Sequence, residues 1–480
     1  KALLGGGHGH GCTLAMFGQW SSRGALVSIA ETPEDAVLHW EKTPGGAIRL
    51  MWLHLPSLGS LGYARETVLQ VSAPDLTAVC KTYRRYVKEK GRFKSWEEKT
   101  AERPNLEHLF GAAIVFTGYH QDPELDFAGS LRRLKALGID KAYVYPVYMG
   151  CALNPEKAMG VRLADYRAQL SVLKELGYAA GSFIYIMDGA PEGRGDEDLL
   201  LNEEGKPRVG WRIKEVTWHV FSAQKRKAWA ERFLEAEHEE LQGVHFDVLC
   251  SCGLKEDYHP GHRSDARQDW QSRAEILQAA GRRGLIVSSE GFWDRMTPFY
   301  DLGNSKYAQA LGGDEYCVVP MTMLVFHDSA YHTWWEVDNY NNPEHRAQFG
   351  RGYLPRMPWG GGFARAQAAM DALMGTPPDL FPFGMQYGFV PRNHPDIYVY
   401  KYRLDDAAVQ AAIALARPVM ELNRRVGKLE LVAHTLHRPD GALQETSFAD
   451  GTRVVANFAT VELEAPGVGR LPPESWKRLH

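Results

Sequence analysis

No run of eighteen apolar residues occurs in the 480-residue chain, so it offers no helix long and apolar enough to span a membrane. Cysteine is scarce, with six at positions 12, 80, 151, 250, 252 and 317. Cys250-Ser251-Cys252 is too tight for an ordinary disulfide and no Cys-x-x-Cys pair exists, which leaves a zinc site little support. Scattered thiols in a large chain fit a reducing compartment, so a cytoplasmic address is expected. The start at Lys1 leaves a removed leader open. An excess of either charge is also lacking. Lys and Arg number 55 against 59 Asp and Glu, a formal net charge of −4 with no basic stripe, which argues against a nucleic-acid partner. No Gly-x-Gly-x-x-Gly or Walker sequence follows any strand-like run, which weakens a nucleotide-binding open sheet.

What is present is ordinary apolar material, 44% of residues, together with 13 Trp and 21 Tyr. Indoles stack well on the apolar faces of sugar rings, although the same side chains also fill large cores. The first seventy residues read as short strands joined by turns: 25–30, 47–54 and 66–72, punctuated by Pro44-Gly45-Gly46. This is a β-sandwich signature that starts mid-domain. A helix over 76–90 follows, capped by Asp75 or Thr77 and stopped by Gly91.

From about residue 110 the pattern changes. Gly111-Ala112-Ala113-Ile114-Val115-Phe116 is a continuous apolar run, as a strand buried on both faces requires. Strand-like runs recur at 142–147, 182–186, 244–249 and 285–290, separated by helical patterns at 127–137, 163–176, 223–241 and 270–280. Five consecutive strand–helix units leave an open doubly wound sheet or a closed barrel. Polar residues at the strand ends decide for an α/β fold of the (β/α)8 TIM-barrel type, where such ends converge on one mouth. After a helix over 407–425, the runs 443–448 and 453–458 flank Asp450-Gly451 as a β-hairpin. The expected organisation is a β-sandwich with linker helix over 1–100, the barrel over 101–428 and a small C-terminal β-domain over 429–480.

Asp247 ends the fourth predicted strand and Glu290 the fifth. Two carboxyl groups on adjacent strand ends are what glycosidic cleavage asks for, one to trap or stabilise an oxocarbenium-like centre and one to protonate the leaving oxygen. An Asp…Glu pair alone is a weak signal, but Asp247 lies in the apolar run His245-Phe246-Asp247-Val248, where a charge is costly unless used. Glu290 precedes Gly291, read as room for a ligand, and Phe292-Trp293 could wall the site.

The run from His245 to Leu249, Ser289-Glu290-Gly291 and Val325-Phe326-His327-Asp328 resemble the catalytic barrel of glycoside hydrolase family 129, known for α-N-acetylgalactosaminidase activity and related to the endo-acting family 101. Ile29-Ala30-Glu31-Thr32-Pro33-Glu34-Asp35-Ala36 resembles the sandwich ahead of that barrel. Phe448-Ala449-Asp450-Gly451-Thr452 and Ala456-Asn457-Phe458 resemble its C-terminal β-domain. The resemblance implies a retaining exo-α-glycosidase for galacto-configured sugars, first of all N-acetylgalactosamine, with Asp247 as nucleophile and Glu290 as acid/base. It further implies a substrate-contacting acid after the first strand, for which His120 and Asp122 are the candidates, and a calcium ion near the sugar, with ligands unassigned. Activity on galactosides or anhydrogalactose units of algal galactans is the alternative, and a non-catalytic sugar-binding barrel is a second.

His327 and Asp328, read as a strand end before an aromatic loop, are expected to bind sugar hydroxyls, as are Asp188 at the end of the third strand and Trp293. A structural loop is the competing explanation for each. Trp211 and Trp218 mark a long loop before the fourth strand, of the length that lids have. His8-Gly9-His10-Gly11-Cys12 has metal-binding residue types but no fourth partner, so it carries little weight. The expected partner is an oligosaccharide or glycoconjugate.

Overall fold

The computed structural model describes residues 2–4, 13–117, 126–151, 163–189, 196–213, 216–237, 240–306, 317–334, 362–380, 385–386, 399–400, 404–405 and 407–479. His120 and Asp122 lie outside the described residues, as do His8, His10 and Cys12.

Eight parallel strands form the centre: Ala113–Phe116, Ala142–Cys151, Ala179–Tyr185, Gly243–Phe246, Ile286–Glu290, Leu302–Lys306, Tyr331–Trp334 and Asp379–Leu380. The first seven pair in sequence order, and the eighth pairs with the first. Between the seventh and eighth strands the Asp379 carboxylate accepts the Trp334 backbone N–H at 2.6 Å, a side-chain link across the seam. This is the (β/α)8 barrel that the repeating strand–helix pattern implies. The first, fourth and fifth strands are buried at every residue, which accounts for the unbroken apolar run of the first.

Barrel interiors are filled, and here one filler is the fully buried Tyr143 of the second strand. Its hydroxyl lies over Gly181 of the third strand and Gly243 of the fourth, where a Cβ on either would collide with it. Two adjacent strands therefore carry glycine at the layer that this ring crosses.

The amino-terminal part has an antiparallel sheet in the order Ala2–Leu4, Met16–Ser21, Gly24–Ala30, Thr67–Ser72, and a hairpin of Ala36–Lys42 with Ile48–His54. The helix Leu76–Glu89 starts where Asp75 accepts the Ala78 N–H at 2.8 Å. The next helix, Trp96–Glu102, starts with a capping box of Ser95 and Glu98. These helices bind the barrel through polar contacts. Arg84 makes two 2.7 Å bonds to Asp328, and buried Lys99 donates to the carbonyls of Thr297, Tyr300 and Ser329, each at 2.7 Å. The carboxyl-terminal sheet runs Leu431–Leu436, Leu443–Phe448, Arg453–Asn457, Ser475–Leu479, and Thr446 ties it to the helix Gly362–Met374 through the Leu373 carbonyl at 2.7 Å.

The sequence reading takes Val325-Phe326-His327-Asp328 as a strand end, and the fold corrects this. Met321–Phe326 is a short helix, buried at every residue, and the strand begins at Tyr331. A short apolar run buried all round carries no periodicity to separate helix from strand. Among the described residues no helix is long and apolar enough to cross a membrane.

Candidate active site

The fourth strand delivers Asp247 to the carboxyl-terminal rim of the barrel, where its N–H donates to the Ile184 carbonyl of the third strand at 2.9 Å. His245 pairs with Ser288 in the register of the fourth and fifth strands, so Asp247 and Glu290, two residues further on each, point the same way. Their carboxyl groups come within hydrogen-bonding range of one another. Burial pushes both up, Glu290 to about 7 and Asp247 well above its ordinary value, and the charge of Glu290 adds to the rise at Asp247. A pair so placed holds one proton between its two ionisations, and those ionisations belong to the pair. Glu290 Oε2 is buried and has no hydrogen-bond partner.

The backbone just past Asp247 completes this arrangement. Val248 has φ +50°, a region that β-branched residues rarely enter, and its N–H offsets part of the rise at both carboxyl groups. The Ser251 hydroxyl does the same at Glu290. Gly291, with φ +87°, packs onto this same turn: a Cβ there would stand 2.7 Å from the Cys250 carbonyl oxygen. The glycine thus makes room for neighbouring backbone, where the sequence reading had given that room to a ligand. Beneath the loop, fully buried Arg273 of the helix Ala266–Arg282 donates to the carbonyls of Leu249 at 2.8 Å, Cys252 at 2.6 Å and Gly253 at 3.1 Å. Asp269 holds Arg273 at 2.7 Å and also pairs with Arg226. Neither Ser251 nor Arg273 belongs to a motif that sequence reading could isolate, and Val248 stood there only as part of the run around Asp247.

Asp188 is brought to the same place. It is buried, accepts a hydrogen bond from the Tyr185 hydroxyl, and its charge adds to the rise at Asp247. It opens a small antiparallel sheet with Val216–Val220 and Val209–Ile213, so the long loop is structured there, and Trp218 lies edge-on to Tyr185 at 5.6 Å. Trp293 takes another direction. Its ring lies 5.9 Å from the Arg273 guanidinium and helps line a cavity shared with Trp52, Trp270 and Arg295, towards the amino-terminal sheets.

His327 and Asp328 do not join the pair. They precede the seventh strand, at the barrel end opposite Asp247 and Glu290. His327 is buried with its ring nitrogens against the Leu429 carbonyl at 2.6 Å and the Gly375 carbonyl at 3.1 Å. Asp328 is taken up by Arg84. Their placement fits fastening between domains, so the sugar-binding expectation is corrected for both. Cys80, Cys250, Cys252 and Cys317 are free thiols. Among the described residues no group of three or more His, Cys, Asp and Glu side chains is arranged to hold a metal ion.

No protein-family model matches the chain, and no curated protein matches it. Solved structures do. The ligand-free α-N-acetylgalactosaminidase NagBb from Bifidobacterium bifidum is similar with a TM-score of 0.74 and 23% identity, over 95% of this chain and 75% of that one. Its GalNAc complex gives 0.72 and 22%, over 95% and 74%. The GH36 α-galactosidase AgaA from Geobacillus stearothermophilus gives 0.51 and 12%, over 100% and 67%. At these identities, what the chain has in common with them is its fold.

Proposed function

We propose that the protein is a retaining exo-α-glycosidase for galacto-configured sugars, with α-linked N-acetylgalactosamine as its first substrate. The observation that carries this reading is the direct approach of Asp247 and Glu290 at the barrel mouth. Inverting enzymes keep their carboxyl groups roughly 6.5–9.5 Å apart to admit a water, whereas retaining pairs stand at about 5–5.5 Å. So close a pair lies nearer the retaining separation than the inverting one, which favours attack by a carboxylate.

The pair shares one proton, and the form that reacts is the one with that proton on Glu290 and Asp247 ionised. Glu290 Oε2 then has its open side towards a leaving-group oxygen. Asp247 attacks the anomeric carbon as Glu290 gives up its proton to that oxygen. Water next attacks the glycosyl-enzyme and loses a proton to Glu290, returning the pair to its starting state. The galacto preference draws on the family resemblance and on NagBb and AgaA as neighbours in fold. The calcium ion that the resemblance implies remains a proposal without assigned ligands, and no step above runs through it.

Proton NMR during hydrolysis of an aryl α-N-acetylgalactosaminide tests this. The α-anomer of the free sugar should appear first and the β-anomer later, by mutarotation. Early β-anomer would make Asp247 a base that activates water. Hydrolysis of an aryl α-galactoside or an anhydrogalactose oligosaccharide in its place would keep the mechanism and change the substrate.

A further inference from the structure

In the register of the fifth and sixth strands, Asn304 stands directly beside Glu290, so the two side chains leave the sheet in the same direction. Asn304 is buried, 6% exposed, and its Oδ1 has no hydrogen-bond partner. Its Nδ2 approaches the Tyr145 hydroxyl at 3.5 Å. Tyr145 reaches this point from the second strand, held by ring contacts to Tyr143 at 5.4 Å and His245 at 5.3 Å. Burial keeps its phenol protonated, with the charge of Asp379 as the next contribution and that of Asp247 among the smaller ones. Beside the acid/base candidate there is thus a buried acceptor without a donor, and next to it a phenol O–H.

An unsatisfied buried amide oxygen costs about 1–3 kcal/mol, and in native proteins such a group points to a water, an ion or a function. A carbonyl acceptor beside a hydroxyl donor matches an alcohol, which donates one hydrogen bond and accepts another. A rigid site built this way rejects an analogue that lacks the hydroxyl, because the protein groups are then stranded.

We infer that Asn304, with Tyr145, is a specificity-determining subsite that holds one ring hydroxyl of the sugar bound against Asp247 and Glu290. This inference rests on the carbohydrate reading of the site above. The hydroxyl donates to Asn304 Oδ1 and accepts from Tyr145.

The test pairs deletions on the protein with deletions on the sugar. Methyl α-N-acetylgalactosaminide and its 3-, 4- and 6-deoxy analogues are titrated calorimetrically into the unaltered enzyme, Asn304→Ala and Tyr145→Phe. Hydrolysis of the aryl glycoside is followed in parallel. One deoxy analogue should bind the unaltered enzyme about tenfold to a hundredfold more weakly, the loss of one or two hydrogen bonds. Asn304→Ala should weaken the parent sugar by a similar factor and that one analogue hardly at all. Tyr145→Phe should show the same pattern. Comparison within the unaltered enzyme needs no variant to fold, and thermal melts check the two variants. Equal weakening of every analogue by Asn304→Ala, or no weakening of the parent, overturns the subsite while the hydrolase reading stands. Selective weakening without any turnover keeps the subsite and overturns the hydrolase. Neither binding nor turnover overturns both.

Discussion

At Glu290 the side chain that suits the proposed chemistry is also one that weakens the fold. Burial lifts its carboxyl from 4.5 to about 7, so between those values the folded chain binds more protons than the unfolded one. The stability associated with this group is fully present below 4.5 and lost as pH rises through about 7. At about 1.4 kcal/mol per pH unit, the loss is at most roughly 3 kcal/mol. Glu290→Gln removes this contribution together with the repulsion that the Glu290 charge exerts on Asp247. Its gain in denaturant stability over the parent should be near zero at pH 4, grow across the window and level off by pH 8. A gain independent of pH would mean that the carboxyl is not buried in its charged form. Kinetics should report the same group. With an activated aryl leaving group, Glu290→Gln should keep much of the first step and lose the alkaline limb of the rate profile, since no proton remains to be lost there. Asp247 and Glu290 stood out as candidates in the sequence because each is an acid at the end of a strand-like run, and the fold brings them together at the barrel mouth. Asn304 did not, since Leu302-Gly303-Asn304-Ser305-Lys306 has neither the apolar continuity nor the length that marks a strand.

Two elements have geometry that explains their sequence. The loop 248–253 bears a strained Val248 and has three of its carbonyls held by Arg273. Arg273→Met would strand these carbonyls while leaving Asp269 its partner Arg226. We expect a stability loss of about 3–5 kcal/mol in urea unfolding, as for a broken buried ion pair. The turnover number should fall at least about tenfold, since loss of the clamp frees the donors to Glu290. Turnover unchanged in the folded variant would show that the loop keeps its course without the guanidinium. In the fourth strand, Gly243→Ala should cost about 1–3 kcal/mol through overpacking against the Tyr143 hydroxyl. Adding Tyr143→Phe should recover most of that loss, and simple additivity of the two changes would show that the collision is relieved elsewhere. Barrel strands one to five were readable from the chain because burial on both faces favours largely apolar runs, set between helical patterns. The last three were hidden for separate reasons. The sixth follows the fifth after only a single turn of 3-10 helix, the seventh is preceded by a helix that reads as a strand, and the eighth is two residues long.

Across the whole molecule the two ends of the barrel do different work. The mouth gathers Asp188, Asp247, Glu290 and Asn304, with polar atoms left open at the last two. The opposite end is held by buried cations. Lys99, buried completely, spends its three N–H groups on the carbonyls of Thr297, Tyr300 and Ser329, just ahead of the sixth and seventh strands. Asp301 lies 3.5 Å from Lys99 and is gripped by Arg103 through two 2.7 Å bonds. Arg84 joins the linker helix to Asp328 and to Glu430, so linker, barrel base and carboxyl-terminal sheet share one network. Groups at the foot of such a barrel serve stability while those at the mouth serve chemistry. Lys99→Met separates the two roles. It leaves three buried carbonyls unpaired and removes one of two cations from Asp301, so urea unfolding should show a loss of about 3–5 kcal/mol. Below the unfolding transition, kcat/KM on an aryl glycoside should stay within about twofold of the parent, because no atom near Asp247 moves. A tenfold fall in kcat/KM for a fully folded Lys99→Met protein would show that the base sets the geometry of the carboxyl pair, and the division of labour between the two ends would have to be given up.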